Sequence, residues 1–562
     1  MATIAESAPA APRKPSASTS TGIMTARHLV ISHVWVAIAA FAVACILGVW
    51  QMWARSPLDA PAHTAANYFR SVTLHGVSMA FVLTTFFIMG FGYFVAESAL
   101  KRPVPGLRLA WAAFWMGLAG VLMSALAVAS GNASVLYTFY PPLIATPWFY
   151  IGLVLVVVAS WIWCGIMIVA MRQWKAANPG EPVPLAMYGT VANAVMWLWT
   201  TVGVAAELLF QVIPAAFGWN AMVDVGLSRT LFSWTLHAIV YFWLFPSYIA
   251  FYTLAPRAAG GRLYSDTMGR IAFVLFLLYS LPVGLHHLLM DPEHSNGFKF
   301  FQTFLTALVS VPTLLTVFTI TASMEIAGRM RGGKGLFGWI GALPWGRPMV
   351  LATGLAFLML FFGGGGGLIN MSYGMNAMVH NSSWVTAHFH LIFGGTVVIV
   401  YFAIAYAMWP TVTGRAFPSV RPLNLQLWSW FVGMMVMTLP WHYLGLQGQW
   451  RRIAAFDYSH PLIASWGPWV IVSLVGGIIL TLSALLFVYN LLTLHRSSSP
   501  AAPVADFPYA EAVHPPARLP ASLNGFGLWN IFVAVLMLLA YGYPIAQFFL
   551  DPPPQAVIHR LS

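Results

Sequence analysis

Residues 379–409 read VHNSSWVTAHFHLIFGGTVVIVYFAIAYAMW. The stretch has no Asp, Glu, Lys or Arg, and it is long enough as a helix to cross roughly 30 Å of hydrocarbon, which takes about 20 residues. Besides His380 at its start it carries two imidazoles deeper in, His388 and His390. Ionisable groups at membrane depth are costly and usually mark a site. Two residues apart on a helix means about 200° apart in direction. The two rings therefore cannot serve one metal ion, but they can face two different centres.

The rest of the chain agrees with a membrane reading. Of 562 residues, 59% are hydrophobic and 7% are charged, where a soluble domain would carry about a quarter charged. The mean hydropathy is +0.77. The two cysteines, Cys45 and Cys164, lie in apolar runs, which excludes a disulfide scaffold and a Cys-rich metal site. The net charge of +12 is spread thinly between apolar segments and reads as topology, not as a nucleic-acid footprint.

The expected fold is an all-α integral membrane protein with about thirteen transmembrane helices, over 28–53, 71–96, 107–130, 145–171, 187–213, 228–255, 270–290, 301–324, 347–372, 378–409, 423–446, 464–494 and 526–549. Together they form one transmembrane domain over 28–550, preceded by an Ala/Ser/Thr/Pro-rich tail at 1–27 that is expected to be disordered and cytoplasmic and lacks a signal-peptide pattern. A Pro/Ala-rich connector, expected to be cytoplasmic, occupies 497–520, and a short outer tail occupies 551–562. No internal repeat is visible. With the N-terminus inside, nineteen of the twenty-six Lys and Arg fall in inner loops, as the retention of positive charge on the cytoplasmic side requires. The C-terminus is then outside.

Six histidines stand out within these spans. His75 is expected one turn into the second, His237 about two and a half turns into the sixth, His286 and His287 one turn before the end of the seventh, and His388 and His390 three turns into the tenth. All six fall in the outer half of the bilayer on this topology. Neutral imidazole is the commonest metal ligand and suits copper and iron. His237 and Tyr241 share a helix face, and the pair His286-His287 can complete a three-imidazole set with His237. A three-His copper site with a phenol beside it is directed at dioxygen.

These residues carry a family resemblance. The motifs TLHGV around His75, LYTFYPPL at 136–143, LHAIVYFWLFP from 236, LPVGLHH from 281, FGGGGGLIN near 370, VHNSSWVTAHFH from 379 and the pair Arg451-Arg452 resemble subunit I of the haem–copper oxygen reductases, most of all the B family of ba-type cytochrome c oxidases. The resemblance implies that His75 and His390 ligate a low-spin haem b, His388 a high-spin haem of a type, and His237, His286 and His287 the copper CuB. It implies a cross-link between Tyr241 and His237. It places haem propionates near Arg451, Arg452, His380 and Asn376, and it implies one proton channel through Tyr241, Tyr248, Tyr252, Thr313 and Thr316. The implied activity is reduction of dioxygen to water with electrons from cytochrome c, coupled to proton translocation.

The chain departs from the family pattern at Ala238, Thr386, Ala387, Asn376 and Trp450, and Glu207 is an acidic residue at membrane depth without an assigned role. Two other readings compete. A nitric oxide reductase of the same superfamily would carry iron and glutamates where copper is expected here, and a metal-free transporter would use a histidine proton relay. Tyr241 and the lack of glutamate near His237 and His286 favour the oxidase, and the missing repeat disfavours the transporter. The expected partners are a subunit II with a CuA-type centre, cytochrome c, a small single-helix subunit and membrane lipid, in a bacterial inner membrane, with no nucleic acid.

Overall fold

The computed structural model describes residues 24–58, 63–496, 503–516 and 518–561. Most of tail 1–27 and part of the 497–520 connector lie outside the described residues. Among the described residues eleven helices are long and apolar enough to cross a membrane: α1 (Arg27–Ala54), α2 (Ala65–Leu100), α3 (Leu107–Ala129), α4 (Pro147–Ala177), α5 (Leu185–Phe217), α6 (Val225–Thr253), α8 (Asn296–Met330), α9 (Pro348–Met371), α10 (Ser383–Thr413), α12 (Pro461–Leu492) and α13 (Gly527–Leu550). The other two expected spans correspond to α7 (Asp266–Ser280) and α11 (Arg421–Leu446). Helix α7 is too short to span alone. Helix α11 has the length, but Asn424, Gln426, Ser429 and His442 dilute its apolar character.

Several expected boundaries move, and three of them shift the histidines, each for a local reason. Helix α2 begins at Ala65, not 71, because the Thr64 side chain caps it by accepting from Asn67 N (3.2 Å). His75 is thus almost three turns into its helix. The seventh span does not continue to 290: Pro282 comes just after the end of α7, and a proline disfavours helical backbone before it and removes a donor. His286 and His287 sit instead in a 3₁₀ turn, Gly284–Leu288. The tenth span does not begin at 378, because Tyr373–Val379 is a separate short helix and α10 starts only after Ser382. His388 and His390 are therefore less than two and a half turns inside α10.

Small residues bring the helices into close contact, as is usual where lipid gives no hydrophobic drive for association. A Cβ on Gly203 of α5 would collide with Leu231 O of α6, and one on Gly476 of α12 would lie 2.5 Å from Met437 N of α11. Four helices loosen into a π-helical turn, three of them just beyond an intramembrane ionisable residue: Ser78–Leu83 after His75, Leu208–Val212 after Glu207, and Leu391–Val397 after His390, whereas the fourth, Leu538–Gly542, follows Met537. Such turns inside α-helices often occur at functional sites.

Both ends of the bundle are tied by polar contacts. At the end where α1 begins, Glu97 receives Thr25 Oγ1 and Ala26 N, so the last residues of the tail are anchored. There the 503–516 connector pairs Ala512–His514 with Leu263–Ser265, and Ala510 N donates to Thr253 O (2.7 Å). At the opposite end the C-terminal tail adds two short pairings, Ala556–Val557 to Met222–Val223 and His559–Arg560 to Leu143–Ile144.

Candidate functional site

The six histidines converge into three arrangements. His75 of α2 and His390 of α10 face one another across a cavity with their rings nearly parallel, 20° apart, and their centroids separated by 6.3 Å. Two metal–nitrogen bonds of about 2 Å plus the two ring radii fill that gap. Each ring is fixed by its other nitrogen, since His75 Nδ1 donates to Ala44 O and His390 Nδ1 to Thr386 O, both at 2.8 Å. Nε2 is then left as the ligand atom, the arrangement expected of a metal-binding imidazole. Gly48 makes room for the pair, because a Cβ there would lie 3.1 Å from His75 Cε1.

His388 points the other way from α10, as the two-residue spacing requires. Its Nδ1 donates to Gly363 O (2.8 Å), and Gly366 and Gly367 of the FGGGGGLIN run lie against its ring. The glycines let α9 approach the imidazole closely. His442 of α11, an intramembrane histidine that the sequence reading did not single out, packs edge-on against Trp384 (4.8 Å) on the same side.

His237, His286 and His287 form the third arrangement, with a ligand atom from each lying within 4.8 Å of the others. Among the described residues no Asp, Glu or Cys joins them. Nε2 of His237 and of His287 is buried without a hydrogen-bond partner, which is costly unless a metal satisfies it. His286 Nδ1 donates to Val283 O, and the Thr306 hydroxyl, which gives its own proton to Gln302 O (2.7 Å), also accepts from that nitrogen at 3.1 Å. Three imidazoles, each able to turn one ring nitrogen toward the others, fit a copper ion. The 3₁₀ turn that carries two of them is pressed onto α6, where a Cβ on Gly284 would collide with Ser233 O, and Tyr541 Oη holds Gly284 N (2.9 Å). Tyr241 lies one turn beyond His237, with ring centroids 5.0 Å apart.

Below Tyr241 a column of hydroxyls runs toward the end where α1 begins. Ser280 lies beside the Tyr241 hydroxyl and Thr313 beside that of Tyr248. Tyr252 Oη donates to Thr316 Oγ1 (3.0 Å), with Thr319 next in line. Ser280 and Thr319 were missed in the sequence, although Thr316, Thr319 and Ser323 recur at helical spacing on α8 and form a polar stripe on an apolar helix.

At the opposite end, residues 381–383 pair with 449–451 through Ser383 N to Gln449 O (2.8 Å) and Arg451 N to Asn381 O (3.0 Å). This sets the Arg451-Arg452 pair beside His380. Trp450, which departs from the family pattern, contributes its carbonyl to Arg55 Nη2 (2.9 Å). Arg452 has a left-handed φ of 62°, a strained backbone of the sort that collects at functional sites. His380 Nδ1 donates to Asn376 Oδ1 (3.0 Å), and Asn376 Nδ2 to Asn370 O (2.6 Å). Burial and then the Arg451 charge hold the His380 pKa down to about 4. Burial and the Arg452 charge lower that of Arg451 to about 10.

Comparison with known proteins agrees with this geometry. Residues 28–479 match the family model described as "Cytochrome C and Quinol oxidase polypeptide I". The chain is 40% identical to the cytochrome c oxidase subunit 1 of Thermus thermophilus, over 87% of this chain and 88% of that protein. It is 28% identical to a putative cytochrome c oxidase subunit 1-beta of Streptomyces avermitilis, over 83% and 82%. A solved haem–copper terminal oxidase dimer superposes with a TM-score of 0.90 at 32% identity, over 95% of each chain. The chain belongs to the cytochrome c and quinol oxidase polypeptide I family, the haem- and copper-binding first subunit of haem–copper oxidases.

Proposed function

We propose that this chain is the catalytic subunit of a B-family, ba-type terminal oxidase that reduces dioxygen to water with electrons from cytochrome c and moves protons across a bacterial inner membrane. The observation that carries the reading is the three-imidazole group of His237, His286 and His287, which no carboxylate joins among the described residues and which has Tyr241 one turn away. A nitric oxide reductase would need glutamates at that group. In this assignment His75 and His390 hold a low-spin haem b, His388 a high-spin haem of a type, and the triad holds CuB. When bound, the metals supply the electrons for cleaving the O–O bond.

The residues themselves place and feed that chemistry. The backbone carbonyls of Ala44, Thr386 and Gly363 orient the ligand rings. Tyr241 gives a proton, and an electron, from a position cross-linked to His237. Ser280, Tyr248, Thr313, Tyr252, Thr316 and Thr319 relay protons to Tyr241 from the cytoplasm as a single channel. Arg451 and Arg452 present guanidinium groups for haem carboxylates, which they match in a fork geometry.

The Lys/Arg distribution supports an orientation with the N-terminus in the cytoplasm and the C-terminus outside. Subunit I works in a complex, and this one is proposed to include a subunit II with a CuA-type centre and a small single-helix subunit. The test is oxygen uptake from reduced cytochrome c by the purified complex together with metal analysis. Uptake with copper present supports the assignment, whereas iron in place of copper with turnover of nitric oxide alone overturns it.

A further inference from the structure

The hydroxyl column ends at Tyr241, and one buried acid lies apart from it. Glu207 of α5 is fully buried, and both of its carboxyl oxygens lack a hydrogen-bond partner. It lies further from the column than the triad does: Val204 N donates to Thr235 Oγ1 (2.9 Å), two residues from His237, and Glu207 is nearly a turn beyond Val204 toward the arginine end. No basic side chain faces it among the described residues. An ionised carboxylate so placed would be unpaired in a medium of low dielectric, so the group carries its proton.

Two phenols lie within electrostatic reach of Glu207, Tyr140 from the segment before α4 and Tyr150 from α4 itself. Tyr150 Oη accepts from Ala145 N (3.0 Å), which leaves its own O–H free to be donated. Tyr140 is the link outward, since it also lies within reach of Arg452, and the Arg229 guanidinium stands 5.8 Å over its ring. Arg229 in turn is paired with Asp291 (2.8 Å), a carboxyl whose pKa burial pushes up to about 6. A row of polar and titratable groups thus lies between a protonated acid and the arginine pair. Asn376, at a position that cannot ionise, lies on the same side of the site. The π-helical turn just after Glu207 matches those just after His75 and His390.

We propose that Glu207 stores a proton on the arginine side of the histidines and exchanges it through Tyr140 with water or a carboxylate held at Arg452. Each transfer breaks one O–H bond and makes one: through water between them the carboxyl gives its proton to the Tyr140 oxygen as that phenol releases its own toward Arg452, and a proton arriving from the opposite, hydroxyl-column side restores the acid. No electron moves. The inference rests on the oxidase reading above, and its test separates the two.

The holo-complex is reconstituted in vesicles, and proton release is measured beside oxygen uptake for wild type, Glu207→Gln and Glu207→Asp. Uptake without a gradient should stay within about twofold of wild type in both variants, while protons released per electron fall by about half or more in Glu207→Gln and recover in Glu207→Asp. The infrared redox difference spectrum of the wild type should show a protonated-carboxyl C=O band that shifts in D2O and vanishes in Glu207→Gln. Wild-type proton release in Glu207→Gln overturns the proposal. So does the absence of a redox-sensitive carboxyl band in the wild type, a measurement that decides the matter even if the variant does not assemble. A wild-type complex that takes up no oxygen from reduced cytochrome c would instead overturn the oxidase reading.

Discussion

The His75–His390 pair and the group of His237, His286 and His287 are both built of imidazole, yet the chain holds them differently. The pair comes from two long helices, and both rings are locked by backbone carbonyls at 2.8 Å. In the triad two of the rings ride on a five-residue 3₁₀ turn, and two Nε2 atoms have no partner. The first site is ordered by the protein alone. The second leaves ring nitrogens for a metal to satisfy, which in the proposed assignment suits a centre where chemistry takes place while its neighbour passes electrons.

The comparison breaks most sharply at the triad. His286→Ala should remove copper and cut oxygen uptake by at least about 1,000-fold, the several kcal/mol that a metal ion contributes, while the low-spin haem spectrum survives. His390→Ala should do the reverse, losing the low-spin haem and keeping copper. Tyr241→Phe should lower uptake by about 100-fold, the scale of a missing proton donor, with all metals retained, as metal analysis would show.

Smaller changes sharpen the contrast. Thr306→Val removes a contact on His286 Nδ1 and should weaken copper retention by about tenfold, the usual scale for the support of a ligand, without altering the pair. Gly48→Ala acts on the other site: its Cβ, 3.1 Å from His75 Cε1, should shift the low-spin haem band and leave copper untouched. Thr316→Val removes the acceptor of Tyr252 Oη. Losing a hydrogen bond of about 1 kcal/mol should slow uptake about fivefold, seen as slower proton uptake with unchanged spectra.

Legibility in the sequence divides along similar lines. Histidines and a tyrosine in apolar runs are conspicuous, so the six rings and Tyr241 could be singled out before any fold was known. Their depths were less legible, because helix ends depend on local features such as the Thr64 cap and Pro282. Partners from distant segments were not legible at all. Nothing in the residues around His75 announces Ala44 O, and nothing near Arg451 announces its pairing with Asn381. Ser280 and Thr319 went unnoticed because hydroxyls on membrane helices so often bond their own backbone, as Thr319 also does to Leu315 O (2.7 Å).

Anomalous scattering at the copper and iron edges, from crystals of the purified complex, tests the central assignment most directly. It should place one copper among His237, His286 and His287, one iron between His75 and His390, and a second iron beside His388. An iron at the triad, or no metal between His75 and His390, would contradict it.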